Sequence, residues 1–167
     1  MSMSSENEIF RLPRYAEIPN VGLYLEQTGK YLADYLAPLE DISITTSMIS
    51  NYVKKKILKN PHRKQYDRDQ IATLFFIAIA KNVLSLENIR TLLTLAENSY
   101  SVQKAYDWFC DDFEQTLAAL TGRKLQETPV TFVREDLKSL VHGTIITVTN
   151  KIVLDRYFAR VQAKGED

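Results

Sequence analysis

Residues 68–84, RDQIATLFFIAIAKNVL, are apolar on nearly every side of a helical wheel. A helix with no polar face needs covering around its whole circumference, so it belongs at the centre of a fold rather than on its surface. Asp67 stands before it as an N-cap. No run in the chain reaches the roughly 18 consecutive apolar residues that read as a membrane span. The neighbouring segments must therefore supply the cover. With 167 residues, the chain suits one compact domain, or one domain with a helical extension.

Those segments carry helical patterns of their own. After a polar tail over residues 1–9, PRYAEIPN leads to Asn20 as the expected cap of a helix running to Ala37. Its apolar face is Tyr24, Leu25, Thr28, Tyr31, Leu32, Tyr35 and Leu36, with Leu39 beyond, at spacings of three and four. Ser43, Thr45, Thr46 and Ser47 offer caps for a second helix bearing Met48, Ile49, Tyr52 and Val53. Two to three turns are too few to be stable alone, so this short helix must dock on a neighbour. Further helices are expected over 86–96, capped at Ser85, and over 101–120, ended by Gly122. A last one covers about 132–162, where the β-branched GTIITVTN also admits a strand. A tail over 163–167 closes a mostly α-helical chain.

Charge is balanced overall, with 21 basic and 21 acidic side chains, yet unevenly distributed. Residues 51–68 hold seven basic side chains and one acidic one, while the segments on either side are net acidic. Nucleic-acid binding is therefore expected to be local rather than spread over the whole surface. The lone Cys110 excludes an intrachain disulfide and suits apolar filling on a helix. The acidic N-terminus, MSMSSENEIF, has no basic stretch followed by an apolar one, which is the pattern expected of a cytoplasmic protein.

Catalytic patterns are lacking. His62 and His142 are far apart in sequence, and no zinc-ligand spacing, Gly-rich phosphate loop or nucleophile elbow occurs. Asp111, Asp112 and Glu114 read as a solvated helix face. The expectation is a non-enzyme without cofactor or metal.

The informative unit is ISITTSMISNYVKKKILKNPHRKQYDRDQIATLFF, residues 42–76. It combines a short capped helix with polar outer residues, three consecutive lysines, a basic loop and then the buried helix. A helix fits the major groove, and cations beside it neutralise phosphates. A lysine run by itself is more often a solvated face; the short helix before it and the basic loop after it favour DNA. Ser47, Ser50 and Asn51 are the candidates for base edges, although Ser47 also suits a cap. Lys54, Lys55, Lys59, His62, Arg63, Lys64 and Arg68 are the candidates for phosphate. Ile49, Tyr52, Ile57, Leu58, Tyr66 and Leu74 are expected to form the core beneath them.

The region resembles the winged helix-turn-helix of the MerR regulator superfamily. The likeness rests on Met48-Ile49-Ser50-Asn51-Tyr52, on Lys56-Ile57 in place of Gly-Leu, and on Lys64-Gln65-Tyr66 in place of Arg-x-Tyr. VLSLENIRTLL (83–93) resembles the segment that follows the wing. A closer resemblance is to the bacterial family DUF1836, over about residues 10–95. It is carried by Leu12-Pro13-Arg14, Ile18-Pro19-Asn20, the run Met48 to Lys54, Tyr66, Asp69-Gln70-Ile71-Ala72 and Lys81-Asn82-Val83-Leu84-Ser85. The resemblance implies a MerR-like DNA-binding domain at 10–97, with recognition helix 46–55 and basic wing 59–66. Lys56 in place of Gly implies either a left-handed lysine or a different turn, and Lys64 keeps the charge of Arg without its bidentate geometry.

The remaining stretch, 98–162, carries Tyr100, Tyr106, Trp108, Phe109, Phe113, Tyr157 and Phe158 at spacings that favour helix packing over an effector pocket. In MerR-like regulators this part dimerises, which implies a homodimer on double-stranded DNA with an effector that the sequence does not name. The competing expectation is a non-catalytic helical interaction or scaffold protein that retains a MerR-like fold.

Overall fold

The structure is a computed structural model that describes residues 9–122 and 136–165. Its order is a 3-10 turn (Tyr15–Glu17), β1 (Leu23–Tyr24), α1 (Leu25–Leu36), α2 (Thr46–Lys54), β2 (Gln65–Tyr66), α3 (Arg68–Ala80), α4 (Leu86–Ser99), α5 (Val102–Leu120) and α6 (Leu137–Lys164). The protein is mostly α-helical with one small two-stranded sheet among the described residues.

Helix α3 lies at the centre, as its composition requires. Ile71, Ala72, Leu74, Phe75, Ile77, Ala78, Ile79 and Ala80 are all buried, and α1, α5 and α6 pack against it. The ring of Phe75 has those of Tyr31, Tyr35 and Tyr106 within 6.3 Å, so one side chain ties α1, α3 and α5 together. Asp67 accepts from the Gln70 backbone N–H at 2.8 Å, and the Gln70 side chain accepts from the Asp67 N–H at 2.8 Å. This reciprocal cap fixes where α3 begins. The helix ends at Ala80, four residues before the expected end, and a turn follows before Ser85 caps α4.

The segment before α1 departs from expectation. Asn20 does not cap a helix; the chain bends at Asn20 and Val21 and then extends through Leu23–Tyr24, which pair antiparallel with Tyr66 and Gln65. Helix α1 starts only at Leu25, with Tyr24 as its N-cap. Gly22 explains the closeness of this pairing, because a Cβ there would lie 2.6 Å from the Gln65 side chain. Gly29 serves the α1–α2 contact in the same way, its position lying 3.0 Å from a methyl of Thr46.

The N-terminal arm is fastened to α5. The buried Tyr106 hydroxyl donates to the Pro13 carbonyl at 2.6 Å, and the Tyr15 N–H donates to Asp107 at 2.8 Å. Leu12 and Ile18 are fully buried. Residues on both sides of position 97 thus belong to one continuous core. Of Asp111, Asp112 and Glu114 on α5 only Asp111 is exposed, and all three have partners: Arg14 pairs with Asp111 and Glu114, and Asp112 meets His142 Nδ1 at 2.6 Å across α5 and α6.

GTIITVTN is helical throughout, within α6. The hydroxyls of Thr144, Thr147 and Thr149 donate to carbonyls four residues back at 2.7–2.9 Å. Those bonds satisfy the threonines inside the helix, and Ile145, Val148 and Ile152 supply its buried stripe. The helix runs to Lys164, past the start of the expected tail at 163. Its expected beginning at 132, the linker from 123, and the tail of residues 1–8 lie outside the described residues.

Candidate nucleic-acid interface

The interface begins with the cap of α2. The Thr45 side chain accepts from the Met48 N–H at 3.1 Å, a cap that starts the helix at Thr46. Ile49 and Tyr52 face inward and are buried. Ser47, Ser50, Asn51 and Lys54 therefore point outward, and with Leu25 and Thr46 they line one shallow depression. Ser47 makes no cap of its own, because Thr45 holds that position.

At its other end α2 closes in a Schellman turn. The Ile57 N–H donates to the Tyr52 carbonyl at 2.9 Å, and the Lys56 N–H donates to that of Val53 at 3.0 Å. Lys56 occupies the position after the cap with φ 58°. The lysine is left-handed, so the turn normally made with glycine is retained at a cost of about 1 kcal/mol. Leu58 is buried and Ile57 half-buried against the core, which pins the turn and leaves Lys54, Lys55 and Lys56 exposed.

The basic loop is a two-residue hairpin. His62 and Gln65 exchange backbone hydrogen bonds of 3.1 and 2.9 Å. Between them Arg63 and Lys64 have φ 50° and 63°. Positive φ at both central residues is the type I′ pattern, which ordinarily selects Asn-Gly. All three non-glycine residues with positive φ among the described residues are thus basic, and all lie within nine positions of one another. Local strain of this kind clusters at functional sites.

The hairpin and α2 belong to one construction. Gln65 pairs with Tyr24, and the next residue, Leu25, borders the depression on α2. Tyr24 is 53% exposed between them. Tyr66 is buried at the base of the hairpin and Leu74 on α3.

Three of the expected phosphate contacts have further neighbours within the protein. Arg68 is half-buried, donates to the Ile18 carbonyl at 2.8 Å and lies over the Tyr15 ring at 5.3 Å from its centroid. It braces the N-terminal arm. Lys59 pairs with Glu97 at 3.2 Å, and both it and His62 border a separate cavity between the hairpin strap and α3–α6. Ser47, Ser50, Asn51 and Lys54 share the α2 face, while Arg63 and Lys64 share the hairpin tip.

Arg90 on α4 is part of the arrangement although the sequence does not single it out. Its guanidinium donates to the Lys55 carbonyl at 2.9 Å and to that of Lys56 at 3.4 Å. These are carbonyls at the C-terminal end of α2, where positive charge is favourable. No local pattern in 86–96 signals a reach of that length.

Cys110 is fully buried, and burial pushes its thiol up to about 12. Among the described residues, no cluster of three or more His, Cys, Asp and Glu is placed to hold a metal ion. No helix described is long and apolar enough to cross a membrane.

Comparison with known proteins finds one family model, "Domain of unknown function (DUF1836)", matching residues 13–109. No curated protein and no solved structure matches the chain. The matched stretch spans the arm, both strands, α1 to α4 and the first half of α5. It covers more than half of the sequence and includes every part of the interface described above, and on that extent the chain belongs to the DUF1836 family.

Proposed function

We propose that the protein binds double-stranded DNA as a homodimer, with β1, α1, α2 and the hairpin forming a winged helix-turn-helix of the MerR-like type. The observation that carries this reading is the hairpin tip. Two adjacent basic residues sit there in left-handed conformations, although Asn-Gly makes the same turn without strain. Strain retained for the sake of charge is explicable if that charge meets phosphate. The exposed polar face of α2, one strand pair away, supplies Ser47, Ser50 and Asn51 for base edges in the major groove. Lys54, Lys55, Arg63 and Lys64 are the phosphate contacts in this reading; Arg68 is assigned to structure.

Dimerisation is assigned to the distal half of α6. Leu154, Tyr157, Phe158 and Val161 fall on one helical face at spacings of three and four, and each is 48–57% exposed. Paired chains would present two α2 helices to two half-sites of one duplex.

The test is selection of bound duplexes from a random library at moderate salt, followed by titration across salt concentrations. The expected result is an enriched site with two-fold symmetry and affinity that falls steeply with salt. Lys54→Glu/Lys55→Glu should abolish binding with the fold intact. If no duplex is enriched or retained even at low salt, the DNA reading is overturned.

A second reading, a helical protein-interaction or scaffold protein, is favoured by the same α6 face. It predicts a specific protein partner lost on substitution of Tyr157 and Phe158, with no duplex bound by either form.

A further inference from the structure

Between α3, α4, α5 and the first turn of α6 lies a cavity of about 610 Å³. That volume is in the range of small-molecule sites. Phe76, Leu93, Trp108, Phe109 and Val141 give it apolar and largely aromatic walls. Phe76, Leu93 and Trp108 are only partly buried, so the helices do not fully close over them.

The polar groups at its border are not equivalent. Asp67 caps α3, Asp69 accepts from the Tyr15 hydroxyl at 2.5 Å, and Glu97 holds Lys59. Each acid therefore has its partner within the protein. Lys104 and Lys138 have no carboxylate within ion-pair distance among the described residues. Lys138 instead places its ammonium 5.8 Å from the Tyr100 ring centroid and 5.9 Å from that of Trp108. A cation held over aromatic faces at the mouth of an apolar cavity complements an anion carrying an apolar body.

We propose that this cavity binds a small amphipathic anion, an aromatic or aliphatic body bearing one carboxylate or sulfonate, and that its occupancy is transmitted to the hairpin. The body would lie against Phe76, Trp108 and Phe109, and the anionic group would meet Lys138 and Lys104. Transmission follows from the remaining wall, which consists of Ile57, Leu58, Lys59, Asn60 and His62. This strap joins the left-handed turn at Lys56 to the hairpin. It is tied to α3 where the Gln70 side chain donates to the Lys59 carbonyl at 2.9 Å. A ligand in contact with the strap acts on both ends of the interface. That its binding alters duplex affinity rests on the DNA reading; that it orders the strap does not.

The experiment uses the full chain and two probes of similar shape, anilinonaphthalene sulfonate and the uncharged N-phenylnaphthylamine. The sulfonate is expected to bind saturably, one per chain, at least tenfold tighter than its uncharged relative. Ala96→Trp, which fills the cavity from α4, should abolish binding of both. Lys138→Glu, at an exposed site, should weaken only the sulfonate, by about tenfold. Hydrogen exchange at the amides of residues 57–62 should slow when the sulfonate saturates the wild type and not when it is added to Ala96→Trp. Non-saturable binding, or binding indifferent to both variants, would overturn the site. Unchanged exchange in the strap at saturation would overturn the transmission. Neither readout involves DNA, so failure of duplex binding would remove the DNA reading and leave the site standing.

Discussion

The Arg90 guanidinium donates to the Lys55 carbonyl at 2.9 Å, joining α4 to the end of α2 across 35 positions of sequence. With its second, 3.4 Å bond to Lys56, it braces the left-handed turn on which the lysine run is mounted. Arg90→Ala should therefore lower stability by about 1 kcal/mol, a charge-assisted hydrogen bond discounted for partial exposure. In urea the midpoint should fall with the slope unchanged. Glu87 lies 3.8 Å from the same guanidinium in an exposed pair, so Glu87→Ala should change stability by less than about 0.5 kcal/mol. Equal effects of the two substitutions would show that the carbonyl bonds contribute nothing of their own.

The hairpin tip sets stability against binding. Arg63→Asn/Lys64→Gly places the preferred type I′ pair at φ 50° and 63°. The double variant should be more stable by about 1 kcal/mol, which raises the midpoint of thermal unfolding by roughly 2–4 °C for a chain of this size. On DNA it should bind more weakly, with a salt dependence shallower by about two phosphate contacts. A variant that is stabilised and binds DNA as well as wild type would remove the hairpin from the interface.

Burial of Cys110 makes a pH-dependent prediction. Its thiol is pushed from 9.0 up to about 12, chiefly by loss of solvation. A folded-state value above the unfolded one contributes stability that is intact below the unfolded value and is lost as pH rises through the folded one. Unfolding free energy should therefore decline between about pH 9 and 12, and less steeply in Cys110→Ala. Tyr106, whose hydroxyl is also pushed up by burial, should account for part of the remaining slope. At neutral pH a thiol reagent should label Cys110 only after denaturation, and rapid labelling of the native protein would contradict its burial.

Several of these relationships differ in how far the sequence exposes them. The central helix was legible because α3 has no polar face, and its start because Asp67 and Gln70 stand at capping-box spacing. The start of α2 was legible only as one of four caps, Ser43, Thr45, Thr46 or Ser47, of which the structure uses Thr45. Lys56 could be recognised as either left-handed or displaced, and the structure selects the first. The hairpin was legible only as a basic loop, since Arg-Lys carries none of the usual two-residue turn chemistry. Gly22 falls inside the helix expected from Asn20 to Ala37, whereas it admits the Gln65 side chain beside β1. Arg68 and Lys59 were counted as phosphate contacts by their charge; the structure adds the Ile18 carbonyl as a partner of the half-buried Arg68 and Glu97 as a partner of the exposed Lys59. Such partners lie dozens of residues away, and local patterns do not encode them.

The distal half of α6 reverses another expectation and makes the last prediction. Tyr157 and Phe158 were expected in the helix-packing core, yet they are 57% and 56% exposed and meet each other edge to face at 6.3 Å. With Leu154 and Val161 they form an apolar face that no described segment covers. If two chains bury it against each other, the protein should sediment at twice its 19.2 kDa chain mass. Tyr157→Glu/Phe158→Glu should reduce it to the single-chain mass, since each buried charge would lack a partner. The monomeric variant should keep its helical content, because these side chains lie outside the core. Its affinity for a site with two-fold symmetry should fall by orders of magnitude, as one half-site contact is lost. A wild-type protein that sediments at 19.2 kDa throughout the micromolar range would assign this face to a different partner and exclude the symmetric mode of DNA binding.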